Sequence, residues 1–232
     1  MTSKEWVAGV DGAQKGWVVA FMPVRKSKGA YLKRYETFDQ VKEATQEKNC
    51  LTIGVDMPIG LLEKPNQGID SEIRERLGER RSSLFPTPST AVLKAKTYEQ
   101  ALQLNKEAVG KGISIQAWNL LPQIRQVRES IDPEDTNRFF ECHPETSFCE
   151  LAKHPLSSKK TPEGSEQRIN LLQTVIPDIA TIVQALPMKC RIDDALDAFA
   201  AAWSAKRYAQ NKAIIVGGHD YDNDGYPIRV II

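Results

Sequence analysis

The sequence predicts an α/β fold: a mixed central sheet, made of a three-strand antiparallel meander plus parallel strands, with helices flanking it. Three observations carry that expectation. Short apolar segments of strand character open the chain. Amphipathic helical segments separate them from later strands. The run LTIGV (51–55) is apolar without alternation, as in a strand buried on both faces. The 232 residues, 41% hydrophobic and 26% charged, fit one soluble domain over 1–232.

The elements follow in order. Trp6–Val10 reads as a first strand, GAQKG (12–16) as a Gly-bounded turn, and Trp17–Met22 as a second, antiparallel strand. KSKG (26–29) makes the next turn and Ala30–Glu36 the third strand. TFDQVKEATQEKN then reads as a helix: Phe38, Val41 and Ala44 recur three apart, and Thr37 or Asp39 can cap it. LTIGVDMPIG is a central strand, expected parallel to its neighbours because a helix precedes it. From Asp70 to Ser130 the spacing is helical, interrupted at SSLFPTPST and at Pro122, which predicts a helical insertion over about 65–135.

RFFECHPE (138–145) returns to strand and turns at Pro144, and ETSFCELA is a short helix. KHPLSSKKTPEGS reads as a polar loop, and Gln167–Leu186 as two further helical stretches. Arg191–Gln210 is the clearest helix, with Ile192, Leu196, Phe199 and Trp203 on one stripe. AIIVGG and PIRVII close the chain as strands.

Bulk properties narrow the function classes. The net charge of +1 lacks the global basic excess typical of non-specific nucleic-acid binders, although a local basic patch is compatible with it. Cys50, Cys142, Cys149 and Cys190 show no C-x-x-C spacing and read as reduced thiols. The chain enters a strand without a basic-then-apolar leader, and no apolar run is long enough to cross a bilayer. The expectation is a cytoplasmic protein with no membrane partner. Nothing in the sequence speaks to oligomeric state.

Acidic residues supply the functional signal. Asp11 ends the first strand, Asp56 ends the buried fourth, and Glu141 lies on the FFEC strand. If the first and fourth strands are adjacent and parallel, about 5 Å apart, Asp11 and Asp56 meet at one sheet edge, where α/β folds place their sites. Two carboxylates there repel unless a cation joins them. On the last long helix Asp194 and Asp197 share a face, with Asp197 about 140° and the apolar stripe about 20° from Ile192. Hard oxygen donors in such numbers suit Mg²⁺ or Mn²⁺ and two-metal phosphodiester hydrolysis. Each acid alone also has a plain reading: Asp11 and Asp56 as turn residues, Asp193 and Asp194 as first-turn acids that complement the helix dipole, Asp197 as a solvated flank.

Five ordered motifs, GVDGAQKGWVVA, IGVDMPIGL, GERRSSLFPTPS, ECHPETSFCEL and DDALDAFAAAW, together resemble the domain-of-unknown-function 429 family, predicted to be RNase H-like nucleases. The resemblance implies an RNase H-like fold and a metal-dependent nuclease or phosphodiesterase. The metal-binding and catalytic positions fall on Asp11, Asp56, Asp194 and Asp197, with Glu141 an additional catalytic member from the family's own motif. The implied partner is nucleic acid or a smaller phosphoester. The long insert between Asp56 and Glu141 departs from a minimal RNase H fold.

Other motifs leave alternatives open. Arg80, Arg81, Ser82 and Ser83 can grip phosphate or form a solvated loop. His143 can serve as ligand or base, or stabilise the turn at Pro144. DYDNDG mimics an EF-hand start but has Ile231 where the bidentate Glu belongs, so it reads as an acidic hairpin. Two other functions compete with hydrolysis: a non-catalytic scaffold or regulatory protein, and an actin-like or sugar-kinase-like nucleotide enzyme.

Overall fold

The computed structural model describes residues 5–26, 28–65 and 68–232. Ser27 of the KSKG turn, and Asn66 and Gln67 of the expected insertion, lie outside the described residues. The main sheet contains β1 (Trp6–Ala13), β2 (Gly16–Pro23), β3 (Tyr31–Tyr35), β4 (Cys50–Val55) and β5 (Phe139–Glu141) in the order β3-β2-β1-β4-β5. The first three strands form the antiparallel meander, and β1, β4 and β5 run parallel. This is the mixed sheet, an antiparallel meander plus parallel strands, that the sequence predicts.

Period-two alternation divides the core. Trp17, Val19 and Phe21 enter one apolar layer and Val18, Ala20 and Met22 the other. The first layer is closed by α1 (Phe38–Glu47), α3 (Tyr98–Val109) and α4 (Ile115–Ser130). The second is closed by α5 (Pro144–Ala152), α6 (Pro162–Gln173), α7 (Ile179–Gln184) and α8 (Ile192–Ala209). Thr37 and Gln40 cap α1 reciprocally, each side chain meeting the other's backbone N–H. α2 (Asp70–Leu77) packs through Ile73 and Leu77 against the hairpin of β6 (Ile215–Tyr221) and β7 (Pro227–Ile231).

Four local expectations are corrected. β1 and β2 pair as far as Ala13 and Gly16, which shrinks the five-residue turn to Gln14-Lys15 with Lys15 at φ 57°. Asp11 is therefore inside the strand, opposite Val18, and not a turn residue. Pro122 does not break α4. It lies on the exposed side, while Ala117, Leu121, Ile124 and Val127 are buried, so the missing hydrogen bond faces water and packing outweighs it. The expected polar loop gives way to α6 at Pro162, where Thr161 accepts from the Gly164 N–H and proline suits the first helical position.

The fourth correction concerns α8. Ile192 is 45% exposed and leaves the apolar stripe, whereas Ala195 through Ala205 are all buried. The helix is enclosed on every side, so Asp197 is not on a solvated flank. Small residues permit this. A Cβ on Gly9 would lie 2.1 Å from the Ala198 carbonyl oxygen and 2.1 Å from the Ala202 nitrogen, and one on Gly54 would lie 2.8 Å from the Ala201 oxygen. Glycine on the strands and alanine on the helix let α8 rest directly on β1 and β4.

The DYDNDG segment is the acidic hairpin connection expected. Asp222 is buried and accepts from Arg128 Nη1 at 2.6 Å, from the Leu61 N–H at 3.2 Å and from the Tyr226 N–H at 2.9 Å. It fastens the β6–β7 hairpin to α4 and to the chain after β4.

Candidate functional site

The parallel register of β1 and β4 builds the site. Gly9 pairs with Gly54 and Val10 with Val55, and the Asp56 N–H donates to the Val10 carbonyl at 2.8 Å. Val10 and Val55 enter the layer under α4, so alternation turns Asp11 and Asp56 to the opposite face, where α8 lies. The close seat of α8 then brings Asp197 to the same rim. Three carboxylates far apart in sequence meet there.

Their electrostatics record the proximity. Burial first, then the charges of Asp56 and Asp197, raise the Asp11 carboxyl well above the ordinary carboxylate range. Asp56 is pushed up to about 7 by burial and then by Asp197, while a hydrogen bond from Asp11 favours its ionised form. Asp197, 3% exposed, is raised by burial and held back by Lys159. The Lys159 ammonium donates to Asp197 Oδ2, although 39% of its side chain remains exposed. Burial opposes its charge, but Asp197, together with Asp56 and Asp11, outweighs that and raises its pKa.

Glu141 joins from another direction. Alternation places it on the side of Phe139 rather than of Phe140, away from α8. Its Oε2 accepts from the Ile59 N–H at 3.2 Å, and burial, with Asp70 and Asp56, raises its pKa well above normal. Asp194 is used differently. Its Oδ2 accepts from the Arg191 N–H at 3.1 Å and completes the N-terminal cap of α8; burial raises its pKa, and its charge is felt at Asp11.

Asp11, Asp56, Glu141 and Asp197 all line one cavity of about 540 Å³, together with Arg80, Ser82, Ser83 and Lys159; Asp194 and Arg81 do not line it. Arg80 Nε reaches Glu145 at 3.2 Å, and Arg168 donates to both oxygens of the same carboxylate at 2.8 Å. The Ser83 hydroxyl donates to the Arg80 carbonyl at 2.8 Å. Arg81 is exposed, and its carbonyl accepts from Arg74 at 3.0 Å.

His143 also lines the cavity. Its pKa is lowered to about 4 by burial, against Glu145 and a hydrogen bond to the Ser83 main chain, so the ring is neutral at neutral pH. Its Nδ1 is buried and without a partner among the described residues. Its carbonyl accepts the Thr146 N–H and hydroxyl at 2.9 and 2.6 Å, which starts α5. The thiols are unpaired; burial pushes Cys50 and Cys142 up to about 12 and Cys149 and Cys190 up to about 11. None is a thiolate at neutral pH.

The donor set suits a hard divalent ion in a particular way. Asp11 and Asp56 are hydrogen-bonded to each other and both are shifted toward the protonated form, a pair in which a cation can take the place of a proton. Asp197 is held by Lys159, and among the described residues no group of three or more His, Cys, Asp or Glu is arranged to hold a metal ion. A carboxylate pair is nevertheless what Mg²⁺ takes when phosphate oxygens and water complete its shell.

Lys159, Gly9 and Gly54 are parts of the site that sequence reasoning did not single out. Lys159 lies in a stretch without periodicity and carries no local signal. The glycines did carry one: the tripeptide Gly-Val-Asp occurs at 9–11 and again at 54–56 and pairs in register with itself.

Among solved structures, one of Thermus thermophilus RuvC aligns with 89% of this chain and 97% of its own, at 12% identity and a TM-score of 0.38. No curated protein matches the sequence. No helix among the described residues is long and apolar enough to cross a membrane. The model of the family described as "Protein of unknown function (DUF429)" matches residues 9–222, and with that span covered the chain belongs to the DUF429 family.

Proposed function

We propose that this protein is a Mg²⁺- or Mn²⁺-dependent phosphodiester hydrolase of the RNase H-like type. In this reading residues 1–232 form one domain, and the helices between Asp56 and Glu141 are an insertion in it. The observation that carries the reading is the meeting of Asp11, Asp56 and Asp197 on the wall of a cavity that also holds Arg80, Ser82 and Ser83. Burial raises all three acids, and Asp11 and Asp56 are raised further by the neighbouring acids, a perturbation common at functional sites.

Asp11 and Asp56 are the residues that hold the ion. When bound, it supplies charge neutralisation at phosphate and acidifies a water. Lys159 supplies a second positive charge at the same rim and keeps Asp197 ionised and in place. Water adds its oxygen to phosphorus and gives up a proton to a carboxylate. The bond from phosphorus to the leaving oxygen breaks, and Glu141, whose burial favours the protonated form, returns a proton to that oxygen. The products are a phosphomonoester and an alcohol. Ser82 and Ser83, which line the same cavity, are the residues that would contact the phosphate. Asp194 acts at a distance, as the cap of the helix that carries Asp197.

The test is hydrolysis of nucleic-acid and small phosphodiester substrates with Mg²⁺ or Mn²⁺ by wild type and Asp11→Asn. The expected result is ion-dependent turnover that the variant loses while keeping its fold. Equal rates for the two proteins would refute the assignment. The non-catalytic reading is favoured by one observation, that Lys159 already compensates Asp197. It requires an absence of turnover together with an absence of ion-induced stabilisation.

A further inference from the structure

The acids do not lie on an open face. Leu120 and Ile124 of α4 and the segment after α2 line the same cavity as the acids. Its volume of about 540 Å³ is that of a small-ligand pocket. Its lining combines two chemistries. Asp11, Asp56 and Lys159 are charged, whereas Phe85, with Pro86 and Pro88, is apolar.

Phe85 is 42% exposed, although it lines a cavity next to ample apolar core. The segment that presents it is fastened at several points. Asp70 accepts from both the N–H and the hydroxyl of Thr87, at 3.0 and 2.9 Å. Arg74 donates to the Leu84 carbonyl at 3.0 Å, and the Pro88 carbonyl accepts from the Leu62 N–H at 3.0 Å. An accessible aromatic ring on a tethered segment is a stacking surface whose backbone is in place before a ligand arrives.

A duplex is poorly served by this arrangement. Long nucleic acids are held by many Lys and Arg contacts along the backbone. Here the net charge is +1, and two cations of the cavity, Arg80 and Lys159, are engaged with Glu145 and Asp197.

We infer that the cavity binds one nucleotide unit, with its phosphate at the Asp11–Asp56 pair and its base stacked on Phe85, and that the substrate is a dinucleotide-sized phosphodiester or the end of a single strand rather than a duplex. The inference rests on the hydrolase reading for the phosphate, while the base contact rests on Phe85 lining the cavity and being exposed. A base offers a flat π-face to such a ring, and its loss by alanine substitution weakens binding by about tenfold or more. The polar residues recognise any phosphate, so Phe85 is what separates a nucleotide from inorganic phosphate.

The experiment titrates wild type, Phe85→Ala and Phe85→Tyr with adenosine monophosphate, adenosine and inorganic phosphate in Mg²⁺, using calorimetry. Adenosine monophosphate contains no phosphodiester, so turnover does not interfere. Adenosine monophosphate is expected to bind better than either half. Phe85→Ala should weaken it about tenfold or more while leaving phosphate within about twofold. Phe85→Tyr, which keeps a stacking ring, should restore it. Nucleotide binding no tighter than phosphate, or unchanged in Phe85→Ala, overturns the inference. A parallel assay compares hydrolysis of a dinucleotide, a single-stranded oligonucleotide and a blunt duplex. The single strand separates a free dinucleotide from a strand end. Duplex cleavage at a rate that Phe85→Ala retains overturns the pocket assignment but leaves the hydrolase reading intact. Phe85-dependent nucleotide binding without hydrolysis of any substrate supports the pocket and overturns the hydrolase reading.

Discussion

The Lys159 ammonium donates a hydrogen bond to the Asp197 carboxylate, joining the segment before α6 to the buried face of α8. It is a charge pair of mixed exposure: Lys159 keeps 39% of its side chain in solvent and Asp197 only 5%. Removing the lysine strands a carboxylate in a site already crowded by Asp11 and Asp56. Lys159→Met is expected to cost about 1–2 kcal/mol in chelator, less than a fully buried pair because water reaches the lysine. The same variant should gain more stability from Mn²⁺ than wild type, because an ion then meets three uncompensated acids. Urea denaturation with and without Mn²⁺ measures both; an unchanged ion response would show that Lys159 does not share the site.

Asp56 contributes a falling pH dependence to the ion-free protein, opposed at the acid end by His143, whose lowered pKa makes stability rise between about 4 and 6.5. The folded pKa of Asp56, about 7, lies above the unfolded value of about 3.9, so between them the folded state binds more protons. Its contribution to stability is therefore greatest below the unfolded value and falls as pH rises through the folded one. The proton belongs to the Asp11–Asp56 pair, and the fall should be read as the pair's. In chelator, thermal stability should be higher at pH 5 than at pH 8, and Asp56→Asn should flatten that slope. An Asp56→Asn profile identical to that of wild type would contradict the assignment. Mn²⁺ should stabilise more strongly at pH 8, where it need not displace a proton.

Gly9 tests the seat of α8. Alanine there would place its Cβ 2.1 Å from two backbone atoms of the helix, so the helix must move away from β1. The expected loss is about 3 kcal/mol or more, at the upper end of overpacking costs. Because Asp197 moves with the helix, Gly9→Ala should also blunt the Mn²⁺-induced rise in melting temperature. An unaltered denaturation midpoint would show that the contact relaxes cheaply.

Arg168 is 1% exposed and binds both oxygens of Glu145, a carboxylate 7% exposed. Arg168→Met leaves that carboxylate to Arg80 alone, at 3.2 Å. Breaking a buried pair from one side costs about 3–5 kcal/mol. Arg80→Ala, from the 25%-exposed side, should cost less and act more on substrate affinity. Equal stability losses for the two would assign Arg80 to the fold rather than to the site.

Much of this was legible in the residues themselves. Alternation through Trp17–Met22, the Thr37 cap with Gln40 three residues on, and the unbroken apolar run before Asp56 are local signals, and they yield β2, α1 and β4 in their right order. The placement of Asp11 and Asp56 at one sheet edge followed from two parallel strands of like register. Lys159, the capping use of Asp194, the continuity of α4 through Pro122 and the division of Arg80 between Glu145 and the cavity did not follow. Each depends on which distant group arrives nearby. Local sequence determines strands, helices and turns because those obey short-range sterics and periodicity. The partner of a buried charge is decided only when glycines and alanines let α8 settle on β1 and β4, since close packing and electrostatics act through space and not along the chain.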